Sequence, residues 1–225
     1  MSQLGRRPSL PHSCILNNSH TIIQGAFDAA SSFLILFEET AKNTSAKGAP
    51  KDKEQDLLRA MLVFACAGLD SMLKQLVRDA LGSVIDSKEG ANIQFKRYVE
   101  KRLSRQGTLD QKFLSEVLTR TNPRDALVEE LVNELTSKSL QSKNQILRTA
   151  SYFDIESSRI TSKSKSLDAI FQCRNQISHE LDVDFEQESR YRRPRQKETM
   201  IEYTKDVLEL ANNILLEIDD ALPQN

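Results

Sequence analysis

Apolar residues recur at helical spacing through most of the chain. Between about residues 20 and 42 they return every three or four positions, as at Phe27, Ala30 and Leu34, which predicts a long amphipathic helix. A second long helix is predicted over about residues 54–85. Its central run MLVFACAGLD is apolar on nearly every side, which is typical of the most buried helix in a bundle.

Shorter helical segments are predicted between residues 91 and 153. They cover about 95–103, 109–118, 123–135 and 144–152. Pro123 follows Asn122, and a proline in the first turn after an asparagine that can cap is a normal helix start. We interpret the stretch as a helical insertion within one domain.

The last third of the chain, residues 166–222, is predicted to hold a helix, a basic loop and a closing helix. Ser166 is placed to cap the first of these helices, which runs to about Leu181. Residues 1–18 lack helical periodicity and contain two prolines, so they are predicted to form a flexible leader. The remainder, 19–225, is predicted to be a single domain.

The composition also favours an all-α fold. Seven glycines and six prolines in 225 residues are few for a chain of many short strands. The formal net charge of -1 means that contact with a nucleic acid has to come from a local patch. The three cysteines form no paired spacing, which argues against a disulfide scaffold and favours a reducing compartment. Since we identify no signal peptide and no apolar run of about 18 residues, we expect a cytoplasmic protein without a membrane span.

The helix SLDAIFQCRNQISHELD carries the strongest candidate chemistry. Five apolar residues are placed where a helix can bury them: Leu167, Ile170, Phe171, Ile177 and Leu181. The polar residues left on the flanking sides are Arg174, Asn175, Ser178 and His179. Asn175 and His179 lie one above the other, whereas Arg174 is about 140° from His179, a separation that a long arginine can bridge. The amide of Asn175 could hold the imidazole in the orientation that proton transfer requires.

This motif resembles that of HEPN ribonuclease domains, in which an arginine and a polar residue are followed by three residues and a histidine. HEPN domains are helical bundles that carry the motif late in the chain, before one closing helix. The chain is most similar to the RiboL-PSP-type group, through the helix FACAGLDSMLKQLVRDAL with Asp70 and Arg78 and through the run ISHELD. The resemblance covers the second helix and the last third best, and the middle insertion poorly. It implies a bundle of two long antiparallel helices, a helical insertion and a C-terminal helix.

The resemblance further implies that the protein cleaves RNA without a metal, by attack of a ribose 2'-hydroxyl on the neighbouring phosphate. His179 would transfer the proton, and Arg174 would donate bidentate hydrogen bonds to the phosphoryl oxygens. Cleavage requires one group that accepts a proton and another that donates one, and the other two histidines, His12 and His20, are distant in the sequence. HEPN domains commonly pair with their motifs facing a shared cleft, so we predict a homodimer.

The loop after the motif helix is a candidate RNA-binding segment. Its arginines surround Tyr191, a combination that suits phosphate contacts and stacking of an unpaired base. The candidate residues are Arg190, Tyr191, Arg192, Arg193 and Arg195. Acidic residues flank the loop and would repel phosphate, so a solvated loop without a binding role is the alternative.

Asp70 and Ser178 are candidates for support of the site. Asp70 interrupts an apolar helix and would be costly to bury alone, so it should contact a partner such as Arg174 or tether two helices. No metal or other cofactor is predicted, because a lone histidine beside Glu180 and Asp182 lacks the ligand spacing of a zinc or di-iron centre.

Three functional interpretations stay open. The favoured one is an endoribonuclease in a toxin or antiphage defence system, restrained by an antitoxin or other defence-system partner. The second is a non-catalytic HEPN module that binds RNA, a nucleotide or a partner protein. The third is the toxin of a nucleotidyltransferase-paired system, in which a tyrosine two residues after the motif histidine is modified. Leu181 occupies that position and counts against the third interpretation.

Overall fold

The computed structural model describes residues 3–43, 52–105, 108–161, 167–188 and 191–223, and the predicted Ser166 cap lies outside them. Within these ranges the helices are α1 (Asn17–Asn43), α2 (Asp52–Ser87), α3 (Glu89–Leu103), α4 (Gln111–Leu118), α5 (Pro123–Thr136), α6 (Lys143–Tyr152), α7 (Ser157–Thr161), α8 (Leu167–Glu180) and α9 (Lys197–Ala221). A 3-10 turn, Cys14–Leu16, precedes α1, and β1 (Ser104–Arg105) pairs antiparallel with β2 (Thr108–Leu109). The predicted all-α fold is confirmed.

The central helix of the bundle is α2. Its side chains are buried on several sides, as at Met61, Leu62 and Cys66, because α1, α8 and α9 all pack against it. The middle helices α3, α5 and α6 contact it as well. The long apolar run in the sequence therefore marks the helix that has neighbours in most directions.

The other two long helices flank α2 in opposite directions. Asn18 of α1 lies beside Asp79 of α2, whereas the rings of Phe33 and Phe64 are 5.2 Å apart further along, so α1 is antiparallel to α2. The chain enters α9 beside the start of α2, and α9 ends beside the start of α1. Since the start of α1 lies beside the end of α2, α9 runs parallel to α2. The pair of long antiparallel helices is the one that was predicted.

The middle segment, from α3 to α6, shares its core with the rest of the bundle. Phe95, Leu131 and Ile146 belong to the same cluster of buried apolar side chains as α2. Pro123 lies in the first turn of α5, as predicted. The segment therefore enlarges the central core instead of forming a core of its own.

The N-terminal segment packs on the bundle over residues 3–16. Leu4 is 3% exposed, and Leu16 is fully buried. The backbone N–H groups of His12 and Ser13 donate to the carboxylate of Asp219 in α9, at 2.6 and 2.9 Å. The structure thus differs from the flexible leader predicted for residues 1–18, because apolar side chains and backbone donors of this segment find partners on the long helices.

Two helical stretches are long and apolar enough to cross a membrane by length and composition alone. They are Cys14–Lys42 and Asp52–Ser87, whose most apolar windows have mean hydropathies of 1.2 and 1.4. Neither stretch was predicted from the sequence as a candidate span. In the structure, 33% of the first window and 56% of the second are buried inside the bundle. The core helix of a water-soluble bundle passes the same test, so the windows alone do not define a membrane span.

Candidate functional site

The motif helix α8 ends in a tight left-handed turn. Leu181 and Asp182 have φ angles of 52° and 61°, and the backbone N–H of Asp182 donates to the carbonyl of Gln176 at 2.8 Å, which closes the end of the helix. The prediction that the helix buries Leu181 is wrong. The chain has already left the helix at this residue, and the Leu181 side chain is 71% exposed. A left-handed conformation costs a non-glycine residue about 1–2 kcal/mol, so other contacts have to hold the turn.

The Asp182 carboxylate supplies those contacts from a fully buried position. Arg59 of α2 donates to it through Nε at 2.7 Å, and Arg195 donates through Nε at 2.9 Å and through Nη2. Burial alone would raise the pKa of Asp182, but the hydrogen bonds and charges of Arg195 and Arg59 outweigh it, so the pKa lies below its ordinary value. One buried carboxylate therefore binds two guanidinium groups, and Arg59 also donates through Nη1 to the carboxylate of Asp56 at 3.1 Å.

The same two arginines connect the turn to its neighbours. Arg195 donates through Nη2 to Oε1 of Gln176 on α8 at 2.9 Å, and its backbone N–H donates to Oε1 of Gln55 on α2 at 2.7 Å. Arg59 donates through Nη2 to the carbonyl of Arg193 at 2.9 Å. The position of the motif helix is thereby fixed relative to α2 and to the start of α9.

The basic loop is a short hairpin stabilised by its own arginines. Val183 and Arg192 form an antiparallel bridge. Arg192 Nη1 lies 2.7 Å from the carboxylate of Asp56, and Arg193 Nη1 lies 3.0 Å from that of Glu180. These predicted RNA-contacting arginines are therefore ion-paired within the chain, as Arg195 is with Asp182.

An exposed apolar surface remains on this loop. Tyr191 is 74% exposed, Phe185 is 61% exposed, and the exposed Leu181 precedes both in the chain. Arg190, the remaining predicted RNA contact, lies outside the described residues. Of the candidates in the loop that the structure describes, Tyr191 is thus the one with its side chain largely in solvent.

Arg174 faces both the bundle and the solvent. Its Nη1 donates to Oδ1 of Asn175 at 2.9 Å, while its Nε is buried and has no acceptor within the described parts of the chain. Burial raises the pKa of the neighbouring Cys66 thiol to about 12, and the charge of Arg174 opposes this rise. The guanidinium thus passes close to α2 and ends beside Asn175, on the side of the helix that leads to His179.

His179 is the second-last residue of α8 and is exposed. No hydrogen-bond partner of its imidazole is found in the described ranges, and the same holds for the exposed Ser178. Asn175 lies one helical turn before His179, where the two side chains are neighbours. Its amide oxygen is used by Arg174, which leaves the amide N–H donors to act on the imidazole or on a ligand.

Asp70 is placed away from this group. Its carboxylate accepts from Lys74 Nζ at 2.8 Å and from the backbone N–H of Leu140 at 2.5 Å. These contacts tether α2 to the segment between α5 and α6. In the described structure Asp70 therefore serves the helix-tethering role that was considered, and Arg174 is not its partner.

The other histidines lie at the opposite end of the bundle. His12 is beside Asp219, near the end of α9, whereas the motif lies near the start of that helix. The 25 residues of α9 span about 38 Å at about 1.5 Å per residue. His20 approaches the carbonyl of Pro8 in the same N-terminal segment. In the described residues no three His, Cys, Asp or Glu side chains converge on a point that could hold a metal ion.

A helical bundle with an Arg-Asn-x-x-x-His motif at the end of its second-last helix, followed by one long helix, defines a HEPN domain. The model of the RiboL-PSP-HEPN family matches residues 28–220, and the chain belongs to this family. The match runs through α3 to α6, so the middle segment is part of the family's domain. No curated protein and no solved structure matches the chain. Membership of this family points to a nuclease or an RNA-binding module.

The buried cluster around Asp182 was not predicted from the sequence. Two signals could have identified it. Arg59 stands in the otherwise apolar run LLRAML of α2, where a charged side chain requires a partner. The loop also carries about as many acidic as basic residues, a balance that favours internal ion pairs over a free phosphate-binding surface.

Proposed function

We propose that the chain is a metal-independent endoribonuclease. The observation that supports this most is the difference between Arg174 and the arginines around it. Those bound to carboxylates are Arg59, Arg192, Arg193 and Arg195. Arg174 has no carboxylate partner within the described residues, although it lies on the same helix as the exposed His179. An arginine that binds phosphate needs donors that are not already used, and Arg174 has them.

The proposed reaction is a transesterification. The 2'-oxygen of a ribose forms a bond to the adjacent phosphorus, its proton passes to a base, and the bond from phosphorus to the 5'-oxygen breaks as that oxygen takes a proton. The products are a cyclic phosphate and a 5'-hydroxyl. Arg174 stabilises the charge on the phosphoryl oxygens, Asn175 orients the groups around it, and His179 transfers one of the two protons.

The second proton-transfer group comes from a second copy of the chain. His12 is held at the far end of α9 and His20 lies against Pro8 in the same N-terminal segment, so neither reaches His179. A twofold dimer with the exposed ends of its two α8 helices facing each other would place two imidazoles in one cleft. One would act as the base and the other as the acid. We therefore propose that the active form is a homodimer.

An unrestrained enzyme of this kind would damage the RNA of its own cell. We therefore propose that it acts in the cytoplasm as part of a toxin or antiphage defence system, with a partner protein that restrains it. The exposed Leu181, Phe185 and Tyr191 beside the motif offer apolar surface that such a partner could cover.

The function is tested by incubating purified protein with end-labelled tRNA and with single-stranded RNA in excess EDTA. We expect wild-type cleavage to persist and to leave a cyclic phosphate. His179→Ala should lower the rate about 10²- to 10⁴-fold, because a general acid–base group contributes about that much. Arg174→Ala should lower it similarly.

Exposed residues of the same types, far from the motif, provide the matched controls. His12→Ala and Arg97→Ala should cleave like the wild type. Circular dichroism would establish that all four variants are folded. Cleavage by His179→Ala at the wild-type rate, or no wild-type cleavage of any RNA, would contradict the proposal and favour the non-catalytic module.

The dimer is tested by mixing. Light scattering should give twice the chain mass of 25.5 kDa. At saturating RNA, a fixed amount of wild type should lose activity when excess His179→Ala is added and allowed to exchange subunits. A mixed dimer has only one His179 imidazole in its shared cleft, so it lacks either the acid or the base. Excess Gln111→Ala, altered at an exposed residue of α4, should cause no such loss. A monomer mass, or activity unaffected by His179→Ala, would contradict the shared site.

A further inference from the structure

A cavity of about 380 Å³ lies between the outer side of α8 and the first turns of α9. We propose that it binds one unpaired nucleobase of the RNA substrate and so sets the base preference of the enzyme. This inference rests on the proposed function, whose substrate it specifies as unpaired RNA.

The cavity lies directly beside the motif. Gln172 and Gln176 line it from α8, and they are three residues before Asn175 and His179 respectively. Residues three or four apart on a helix are neighbours, with about 5–6 Å between their Cβ atoms. A base held by these glutamines thus lies beside Asn175 and His179, whereas Arg174, two residues from each glutamine, is on another side of the helix.

The lining has the chemistry of a base-binding site. Cys173 and Met200 form an apolar floor with their sulfur atoms 4.0 Å apart, and burial raises the pKa of the Cys173 thiol, which keeps this floor neutral. Tyr203 supplies an aromatic ring from α9, and bases stack on such rings. The amide of Gln172 has no partner in the described structure, and an amide can donate to and accept from a base edge at once.

Other classes of ligand fit this lining poorly. Arg195 is the one charged side chain among the described residues around the cavity, and it is already bound to Asp182 and Gln176. The described lining therefore has no unpaired cationic side chain that could bind a phosphate and no carboxylate that could bind a metal ion. The volume is near the lower end of the range of about 300–1,000 Å³ for small-molecule sites, which suits one base.

Binding is measured in a His179→Ala background, so that the RNA stays intact. The probe is a short fluorescein-labelled single-stranded RNA pool, titrated by fluorescence anisotropy. Adding Tyr203→Ala should weaken binding about tenfold, because a stacked base is worth about that much. Adding Tyr203→Phe should preserve binding by keeping the ring, and adding Gln111→Ala should leave it unchanged.

Base preference is measured in the active chain by sequencing the ends of cleaved random RNA. Gln172→Ala should flatten the base preference next to the cut, and Gln111→Ala should retain the wild-type profile. The inference is overturned if Tyr203→Ala binds RNA as tightly as Tyr203→Phe, or if Gln172→Ala cuts with the wild-type profile. It is also overturned if either change abolishes dimerisation, since the cavity would then be a subunit contact. Absence of wild-type cleavage would refute the proposed function alone, because the binding titration still decides whether the cavity takes a base.

Discussion

At the scale of single residues, the decisive contacts are those between charged groups. Asp182 holds two arginines in the core, and with them the turn that follows the motif helix. Arg174, by contrast, has no carboxylate partner in the described residues, and its Nη1 donates to the amide oxygen of Asn175. The two kinds of arginine have the same chemistry, and only their partners distinguish a structural role from a candidate catalytic one.

Replacing Asp182 with asparagine should destabilise the protein by about 3–5 kcal/mol, because it removes the buried carboxylate that Arg59 and Arg195 share and leaves Arg59 with only the half-exposed carboxylate of Asp56. The matched control is Glu180→Gln, which removes the half-exposed partner of Arg193 and should cost less than about 1 kcal/mol. Urea denaturation measures both free energies of unfolding. Equal losses in the two variants would contradict the central role of Asp182.

Acid should weaken the same interaction. Because the pKa of Asp182 is lowered in the folded chain, its stabilising contribution is fully present above the ordinary value of 3.8 and is lost as the pH falls through the lowered pKa. The difference in stability between wild type and Asp182→Asn should therefore be largest near neutral pH and should narrow as the pH falls below 3.8. Denaturation series at several pH values measure this difference, and a gap that stays constant into strong acid would contradict the assignment.

At the scale of elements, the helices follow from local patterns, but their packing depends on single small residues. The α1 and α2 helices meet where Gly68 faces Ala26 and Ile23. A methyl group added at Gly68 would overlap with the Cβ of Ala26. The alanine side chain ends at this atom, so it cannot rotate away from the overlap. The two helices can therefore approach this closely only because residue 68 is a glycine.

Gly68→Ala should lower stability by about 1–2 kcal/mol, because the overlap costs more than the helix propensity that alanine adds. Gly25→Ala is the matched control on α1, since nothing lies within 4 Å of its added methyl group. It should raise stability by about 0.5–1 kcal/mol. Thermal denaturation would show the two opposite shifts, and a stabilising Gly68→Ala would refute the proposed helix contact.

The positions of the helices were predictable because periodicity is a local property. The first helix was predicted over about residues 20–42, and the structure gives Asn17–Asn43. The end of α8 was less predictable. Leu181 continues the apolar pattern, yet the left-handed turn that begins there is stabilised by the distant Arg59 and Arg195. A helix end that depends on such partners leaves little trace in the local sequence.

At the scale of the whole molecule, the N-terminal segment completes the bundle. Its Leu4 is buried, and its backbone binds Asp219 near the end of α9. The prolines and the lack of helical periodicity led to the prediction of a flexible leader. These signals describe the local backbone, and they carry no information about the surface on which the segment packs.

Leu4→Ala should destabilise the protein by about 2–5 kcal/mol, as for other buried leucines. Leu10→Ala in the same segment is the control, since Leu10 is 72% exposed, and it should change stability by less than about 0.5 kcal/mol. Chemical denaturation measures both. Equal stability of Leu4→Ala and Leu10→Ala would contradict the packing of this segment and favour the flexible leader predicted from the sequence.

Spacing within a few residues was enough to predict the long helices, the central place of α2 and the order of Arg174, Asn175 and His179 along one helix. The packing of the helices establishes which arginines are paired, where the N-terminal segment lies and that a cavity adjoins the motif. Arg59 and Asp182 are 123 residues apart in the chain. Pairing across such distances depends on how helices pack in space, and a periodic pattern along the chain does not contain that information.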